Sequence, residues 1–238
     1  RDPEMSRGLG DVYKRQLMDI HFDERIYRIC PNLQIGLIRA EVINSPTSDA
    51  LWNELQQEAL HIKTTYRIEE LSERPAIRAT RQLYRALGKD PSRYRVSSDA
   101  LCRRIIKGMQ LYRINTLVDL INIVSFRSGY AIGGFDADHI VGDIVTLSVG
   151  EPGEIFHGIG RGLLNIEGLP VYRDSQGGIG SPTSDEERTK ITEDTRRVQI
   201  QINGFAEEMP MTQCIDYTIG LLQRYAHADR IESRIIRP

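Results

Sequence analysis

The stretch from Leu111 to Asp138 reads LYRINTLVDLINIVSFRSGYAIGGFDAD, and it is the most informative part of the chain. At 100° per residue, Asn115, Asp119 and Asn122 share one narrow stripe of a helix whose other sides are apolar. A helix that is apolar on most of its sides is typical of a buried position. The sequence therefore predicts a buried helix over Asn115–Phe126 that carries a polar stripe.

The polar stripe needs hydrogen-bond partners, because an unpaired buried polar group costs roughly 1–3 kcal/mol. One interpretation is that neighbouring loops of the protein supply these partners. The other is that the stripe forms a polar wall of a binding cleft. In that second case Asn122, Asp119 and Asn115 are the candidate catalytic residues.

Just beyond the helix, the sequence Gly133-Gly134-Phe135-Asp136 contains two adjacent residues without a Cβ atom. Paired glycines favour a tight bend or the close approach of a ligand to the backbone. This predicts a paired-glycine turn next to the polar stripe, with Gly133, Gly134 and Asp136 as candidate substrate-binding residues.

Composition limits the class of protein. The chain has 238 residues, a hydrophobic fraction of 40% and a formal charge of −2, enough for one large domain or two small ones. No apolar run approaches the ~20 residues that cross a bilayer, and no signal-peptide pattern opens the sequence, so we expect a soluble cytoplasmic protein without a membrane partner. The three cysteines form no C-x-x-C pair and the five histidines follow no metal-binding spacing. We therefore expect no metal, no disulfide framework and no cofactor.

The first sixteen residues, RDPEMSRGLGDVYKRQ, resemble a translated sequencing-adapter remnant. We interpret residues 1–16 as a non-native segment and expect Met18 as one possible native start. The remaining residues 17–238 are then expected to form a single domain.

Periodicity predicts both helices and strands. Residues Ile26–Ile43 suggest one or two strands with a break at Pro31-Asn32, and glycine-rich turns separate further short runs of β-branched residues that should pair as a sheet. The other predicted helices are Ser48–Ile62, Ala76–Leu87, Ser98–Met109 with Ser98 as its cap, and Met211–His227; the other predicted strands are Asp143–Val149, Pro170–Arg173 and Val198–Ile202. Runs of both types without strict alternation indicate an α+β fold.

A pentapeptide, Ser-Pro-Thr-Ser-Asp, occurs identically at Ser45–Asp49 and at Ser181–Asp185. Thr183 and Glu186 have capping-box spacing, which favours a role in starting a helix or turn. Alternatively, the hydroxyls and backbone N–H groups hold an anion or a carbonyl oxygen, with Ser181, Thr183 and Ser184 as candidate substrate-binding residues.

The segment from Arg74 to Arg113 is strongly basic. It carries a charge of +9 although the whole chain carries −2, so the remainder carries −11. Tyrosines that could stack on bases are interleaved with the basic residues. One interpretation is a phosphate-binding surface and the other is pairing with acids elsewhere in the fold. The candidate RNA contacts are Arg81, Arg85, Arg93, Arg103, Arg104, Lys107 and Arg113.

Residues 79–202 resemble the tRNA-editing module of the β subunit of phenylalanyl-tRNA synthetase, and more closely its free-standing relatives. The resemblance rests on the order and spacing of three segments together with Asn122: Leu111–Asp119, Gly133–Asp136 and Gly180–Asp185. It implies a mixed sheet or β-sandwich-like core flanked by helices. The synthetase module hydrolyses tyrosine wrongly esterified to phenylalanine tRNA, and no signature of the aminoacylation core is present here.

The resemblance therefore implies a stand-alone editing factor that acts on aminoacyl-tRNA without ATP. Asn122 matches a polar residue of the synthetase's editing pocket, and Asp119 and Asn115 match the motif around it. The synthetase module has a histidine important for editing in its version of the Gly133–Asp136 segment, where this chain has glycine. A non-catalytic module that binds the amino acid or the tRNA is the alternative, and an esterase or amidase acting on a small aminoacyl compound is a third possibility.

Overall fold

The computed structural model describes residues 18–238, so the proposed adapter remnant at residues 1–16 lies outside the described part. The described strands are β1 Asp19–Phe22, β2 Gln34–Glu41, β3 Ile132–Asp136, β4 Ile144–Val149, β5 His157–Gly158, β6 Gly162–Leu163, β7 Pro170–Arg173, β8 Gly178–Gly180, β9 Arg197–Gly204 and β10 Asp229–Ile236. The described helices are α1 Glu24–Tyr27, α2 Asp49–Thr65, α3 Pro75–Ala86, α4 Ser97–Ile106, α5 Thr116–Ser128 and α6 Met211–Ala226.

Eight of the described strands form two four-stranded sheets, and β5 and β6 pair with each other. The first sheet has the order β10-β2-β9-β3 and is antiparallel throughout. The second has the order β1-β4-β7-β8, and its β1–β4 pair is parallel while its other pairs are antiparallel. The expected α+β class, with a mixed sheet and a sandwich-like core flanked by helices, is confirmed.

The side chains of β9 alternate between the two faces of the first sheet, because successive side chains of a strand point in opposite directions. Each face therefore packs against a different layer of the fold. Val198, Ile200 and Ile202 join the core between the first sheet and helices α2, α5 and α6. On the adjacent strand β2, Ile35 and Leu37 join a second core, which includes residues of β1, β4 and β7. The first sheet thus separates a helical layer from the second sheet.

Helix α5 is specified by its caps. The Asn115 side chain accepts a hydrogen bond from the Val118 N–H at 3.0 Å, and Gly129 ends the helix with φ of 74°. Leu117, Leu120 and the other apolar residues are buried, as the periodicity predicted. The other expected helices are also found, but α4 begins at Ser97 and no side chain caps it, so Ser98 is not its cap.

The expectation of one or two strands over Ile26–Ile43 is wrong for its first part. The Asp23 carboxylate accepts a hydrogen bond from the Arg25 N–H at 2.8 Å and starts the short helix α1, which buries Ile26. The strand β2 begins only at Gln34. A local side-chain cap therefore outweighs the β-propensity of this segment.

Candidate functional site

Two members of the predicted stripe are held by the protein itself. Asn115 caps α5, and Asp119 accepts hydrogen bonds through Oδ2 from the Thr47 hydroxyl at 2.5 Å and from the Ile114 N–H at 3.1 Å. Thr47 belongs to the first pentapeptide, so this loop is bound to the start of α5. Burial raises the pKa of Asp119 from its ordinary value. For Asn115 and for Asp119 Oδ2 these contacts match the interpretation in which neighbouring loops satisfy the stripe, whereas Asp119 Oδ1 is buried without a partner in residues 18–238.

Asn122 differs from the other two. It is half-buried, and its side chain makes no hydrogen bond to any residue within 18–238. The preceding residue, Ile121, packs against β3 so closely that a Cβ added at Gly134 would lie 2.6 Å from Ile121 Cδ1. The Asn122 side chain points about 100° away from that of Ile121 around the helix, and its amide is available to a ligand on the helical side of the first sheet.

The paired glycines lie within strand β3, so the expected turn at this place is wrong. A Cβ at Gly133 would lie 2.7 Å from Phe135 Cζ, and one at Gly134 would meet Ile121 and Ile191. The close approach that needs glycine here is therefore made by the protein's own side chains. The third candidate of this segment, Asp136, accepts hydrogen bonds from the Thr195 hydroxyl and the Asp138 N–H.

Strand β3 is the edge of the first sheet, and its ladder with β9 leaves alternate N–H groups facing outward. Asn203 N–H donates to Ala131 O at 3.1 Å, and hydrogen-bonded and non-hydrogen-bonded pairs alternate along an antiparallel ladder. Gly133 is therefore hydrogen-bonded to β9, whereas the N–H of Gly134 points away from β9. The outward Gly134 N–H donates to Asp185 Oδ2 at 3.2 Å. This hydrogen bond fixes the second pentapeptide on the edge of β3.

Asp185 is the residue that sequence reasoning missed. It is partly buried, and a Cβ added at Gly180 would lie 2.6 Å from its Oδ1 atom. Burial raises the pKa of Asp185 to about 7, although the hydrogen bond from Gly134 acts in the opposite direction. Its charge also adds to burial in raising the pKa of Tyr172. The carboxyl group can therefore exchange a proton near neutral pH.

The remaining residues of the second pentapeptide shape the turn that presents Asp185. Ser181 Oγ accepts hydrogen bonds from the N–H groups of Thr183 and Ser184 at 3.3 and 3.1 Å, and its own N–H donates to Ser184 O. The Thr183 hydroxyl lies 2.9 Å from the buried Tyr84 hydroxyl. The capping-box spacing of Thr183 and Glu186 does not start an α-helix here, whereas Ser48 of the first copy does cap α2.

Three of the candidate RNA contacts are paired with acids. Arg103 Nε lies 2.7 Å from Oδ1 of the fully buried Asp99, and Arg81 Nη1 lies 3.7 Å from its Oδ2. Arg113 pairs with Asp49 at 2.8 Å and its guanidinium lies 5.4 Å from the centre of the Trp52 ring. Only the Arg113–Asp49 pair matches the alternative interpretation of acids elsewhere in the fold, because Asp99 lies within the basic segment itself.

The other four candidates form no ion pair with an acid in the described part of the chain; they are Arg85, Arg93, Arg104 and Lys107. Arg85, Arg93 and Lys107 are exposed, and Arg104 is half-buried with a hydrogen bond to Gln110 O. Burial and the neighbouring cations Arg85 and Arg103 lower the pKa of Arg81. The surface formed by α3, α4 and the residues that follow each helix therefore carries a concentration of positive charge.

One cavity of the described structure lies apart from this region. A cavity of about 1240 Å³ lies beside β1, α1 and the start of β2, and none of the predicted site residues lines it. Across residues 18–238, no group of three or more His, Cys, Asp and Glu residues is placed to hold a metal ion. Over the same range, no helix has the length and hydropathy needed to cross a membrane.

The fold is an α+β domain in which helices cover one face of an antiparallel sheet and a second sheet covers the other. The model of the B3/4 domain family matches residues 79–219. Since this match covers more than half of the chain, the chain belongs to the B3/4 domain family, and the resemblance inferred from the sequence is confirmed. The match also extends through most of α6, beyond the residues 79–202 on which the resemblance rested.

No curated protein sequence matches the chain significantly. Among solved structures, an N-terminal fragment of the phenylalanyl-tRNA synthetase β subunit from Pyrococcus horikoshii is similar, with 16% identity and a TM-score of 0.48. The alignment covers 92% of this chain and 54% of that fragment. The chain thus spans about half the length of the fragment.

Proposed function

We propose that this protein acts in trans to hydrolyse the ester bond of mischarged aminoacyl-tRNA, with Asp185 and Asn122 at the reaction site. The observation that carries the proposal is the Asp185 carboxyl group, which is held on the edge strand β3 by the Gly134 N–H. The unpartnered Asn122 amide lies on helix α5, which packs against the other face of that strand. Membership of the B3/4 family and the exposed basic residues of α3 and α4 support an aminoacyl-tRNA substrate.

The reaction needs little more than positioning and charge stabilisation, because an aminoacyl ester is an activated ester. In the proposed mechanism Asp185 Oδ1 takes a proton from water, and the water oxygen bonds to the ester carbonyl carbon. The Asn122 amide donates a hydrogen bond to the resulting oxyanion. The C–O bond to the ribose then breaks, and the proton passes from Asp185 to the leaving ribose oxygen. The neighbouring ribose hydroxyl assists this transfer, and no ATP or cofactor is required.

A general base is most efficient when its pKa lies near the working pH. The pKa of about 7 for Asp185 meets this condition, and its physical cause is burial of the carboxyl group. Asn115 and Asp119 act as positioning residues in this mechanism, because they fix the first turn of α5 and thereby the place of Asn122. Ser181, Thr183 and Ser184 position Asp185 in the same indirect way.

Exposed cations at the end of α3, in the loop before α4 and just after α4 are proposed to bind the phosphates of the tRNA. Arg85, Arg93 and Lys107 are exposed, and Tyr112, with 65% of its surface accessible, offers a ring for stacking on a base. Arg81 and Arg103 support this surface through the buried Asp99, and their contribution to tRNA affinity is expected to be smaller.

A non-catalytic binding module is the second candidate. The observation that favours it is the glycine that occupies the place of the editing histidine in the family. In that case the same surfaces bind aminoacyl-tRNA without cleaving it.

The test is to incubate the protein with a panel of correctly and incorrectly charged tRNAs and to follow loss of the ester. We expect Asp185→Asn to lower kcat/KM by about 10²–10⁴-fold, as for loss of a general base, and Asn122→Ala by about 10²–10³-fold, as for loss of an oxyanion donor. Asp143→Asn and Asn53→Ala are matched controls, since both residues are exposed and distant in sequence from the site.

Affinity for the tRNA, measured separately by filter binding, is expected to stay within about 2-fold in all four variants, because none removes a phosphate contact. Binding without hydrolysis across the whole panel would refute the enzyme and support the binding module. Hydrolysis that is unchanged in Asp185→Asn would refute the assignment of the general base.

A further inference from the structure

The large cavity beside β1 lies between the edges of the two sheets. β1 is the outer strand of the second sheet, and β10 is the outer strand of the first. Arg234 of β10 donates a hydrogen bond to Met18 O at 2.5 Å, so the two edges meet where β1 begins. Beyond this contact, Ile20–Phe22 of β1 and the two residues after β10, Arg237 and Pro238, line the cavity of about 1240 Å³. The gap between the two sheet edges therefore opens toward the end of β1.

The edge of β1 that faces this cavity carries open backbone groups. Asp23, just after β1, donates its N–H to Leu147 O of β4 at 2.9 Å, so the odd-numbered residues point their backbone groups toward β4. The even-numbered residues point the other way, as the bond to Met18 O shows. Within residues 18–238 no hydrogen bond reaches Ile20 O, Phe22 N–H or Phe22 O. β1 thus offers one donor and two acceptors to an added strand.

The opposite wall of the cavity carries a row of three polar side chains. Gln34 Oε1 accepts a hydrogen bond from Arg237 Nη2 at 3.1 Å, and Gln34 Nε2 donates to Glu207 Oε2 at 3.4 Å. Arg237 and Glu207 are exposed, and each has further polar atoms besides the one bound to Gln34. The row therefore supplies both donors and acceptors and carries no net charge.

Between these two walls the cavity has an apolar floor. Phe22 and Tyr27 are half-buried and Leu33 is buried, and all three line the cavity. A large aliphatic or aromatic side chain gains by covering this floor, whereas a charged side chain would lose hydration there without gaining a partner.

We propose that this groove binds an extended, uncharged segment of a partner protein, which adds a strand to the free edge of β1 and places one large apolar side chain against Phe22, Tyr27 and Leu33. An extended polypeptide carries N–H and C=O groups along both of its edges. It therefore matches a strand edge on one side and the mixed polar row on the other. Addition of a peptide strand to an exposed sheet edge is a recurrent mode of recognition. The proposal is independent of the proposed hydrolysis, because none of these residues belongs to that site.

The first experiment titrates the full chain with the synthetic heptapeptide acetyl-Ser-Thr-Val-Phe-Val-Thr-Ser-amide by calorimetry. We expect saturable binding that weakens by at least about 10-fold when aspartate or lysine replaces the phenylalanine, because the apolar contact is lost and a charge must be desolvated. N-acetylphenylalanine amide, which cannot extend along β1, is also expected to bind at least about 10-fold more weakly.

Backbone bonding is tested by two N-methylated forms of the heptapeptide, one methylated at both valines and one at the phenylalanine. Alternate residues of a strand face opposite neighbours, so the two forms block the two edges in turn. We expect each form to bind at least about 5-fold more weakly. In the wild type, the heptapeptide should slow hydrogen exchange of the Phe22 amide by at least about 10-fold, with the Asp23 amide, already bonded to Leu147 O, as the internal reference.

Two pairs of variants test the walls of the groove. Phe22→Pro and Phe22→Ala both remove the ring, but only proline also removes the N–H that faces the cavity, and edge strands tolerate proline. We expect Phe22→Pro to bind the heptapeptide at least about 5-fold more weakly than Phe22→Ala. If Phe22→Pro fails to fold, the exchange measurement on the wild type decides the same point. Glu207→Gln should weaken binding by about 3-fold, whereas the matched control Glu232→Gln, at an exposed position of β10, should not change it.

Two results would overturn the proposal. Absence of saturable binding up to about 1 mM would show that the groove is not a docking site for such a segment. Equal affinity for the heptapeptide, its N-methylated forms and N-acetylphenylalanine amide would show a pocket for small molecules instead of an edge that receives a strand. Neither result depends on whether the protein hydrolyses aminoacyl-tRNA.

Discussion

Replacement of Asp185 by asparagine is expected to stabilise the protein at neutral pH while it removes hydrolysis. The carboxyl group is partly buried among Gly133, Gly180 and the Phe135 ring, and within residues 18–238 its side chain accepts one hydrogen bond, from the Gly134 N–H. Ionisation in these surroundings costs free energy that ionisation of an exposed carboxylate in the unfolded chain does not. The asparagine side chain would keep an oxygen for the Gly134 N–H and would carry no charge.

The magnitude follows from the pKa of Asp185, which burial raises from 3.8 to about 7. Between these two pH values the folded state binds more protons than the unfolded state, so this group's contribution to stability falls as the pH rises. The full cost above pH 7 is about 4 kcal/mol at 1.36 kcal/mol per pH unit. The charged hydrogen bond to Gly134 offsets about 1 kcal/mol of any gain from substitution. We therefore expect Asp185→Asn to raise the free energy of unfolding by about 3 kcal/mol at pH 8 and to change it little near pH 4.

Urea denaturation, followed by circular dichroism at several values of pH between 4 and 8.5, measures this difference. The comparison is made between variant and wild type at each pH, because other carboxylates respond in the opposite sense; the bond from Arg25, for example, lowers the pKa of Asp23. Asp143→Asn, at an exposed position, should show no pH-dependent difference. A variant that is less stable than the wild type at pH 8, or a difference that does not grow with pH, would refute the reasoning.

Three further substitutions test other parts of the structure. Gly150→Ala should destabilise the fold by about 3 kcal/mol, measured as a fall in the thermal midpoint, because its Cβ would lie 1.9 Å from Ile166 O; a midpoint unchanged from wild type would contradict this contact. Thr47→Val should cost about 2 kcal/mol in urea unfolding because it removes the hydroxyl donor to the buried Asp119, and a neutral effect would show that this bond adds nothing. Arg85→Glu should weaken tRNA binding and lower the slope of log affinity against log salt by about one or more, with an unaltered circular dichroism spectrum; an unchanged slope would exclude Arg85 from the phosphate contacts.

Short-range features of the sequence were sufficient to predict helix α5. Its apolar periodicity acts as predicted, and the Asn115 cap and the glycine after its last turn are further short-range features that were not predicted. Strand Pro170–Arg173 was likewise predicted with its observed bounds. By contrast, α1 forms because one carboxylate caps it, and the apolar residues around Ile26 gave no sign of that competition.

The basic segment shows where spacing alone misleads. Arg74, Arg78, Arg81 and Arg85 have helical spacing, but α3 begins only after Arg74. Arg74 is buried and binds Glu208 at 2.7 Å, and Arg81 turns toward Asp99. Which cations remain exposed depends on acids brought near by the fold, and sequence spacing does not contain that information.

The proposed site depends on contacts between segments that are distant in sequence. Gly133, Gly180 and Asp185 are separated by up to 52 residues, and the hydrogen bond from Gly134 and the turn after β8 bring them together. The repeated pentapeptide was a signal for Asp185, since the same five residues serve in one copy to cap a helix and in the other to present a carboxylate. Only the second copy has glycines opposite it.

These glycines bear on the proposal that Asp185 acts where the synthetase module that the sequence resembles has a histidine. A side chain at Gly133 would meet the Phe135 ring, and one at Gly180 would meet both that ring and Asp185 Oδ1. The second pentapeptide can therefore approach β3 closely enough for Asp185 to bind the Gly134 N–H only because both positions lack a Cβ atom. The same approach encloses the carboxyl group and brings its pKa to about 7, within the range expected of a base at neutral pH. Glycine in place of the histidine is thus consistent with a site rebuilt around Asp185, and Asp185→Asn distinguishes a rebuilt site from a lost one.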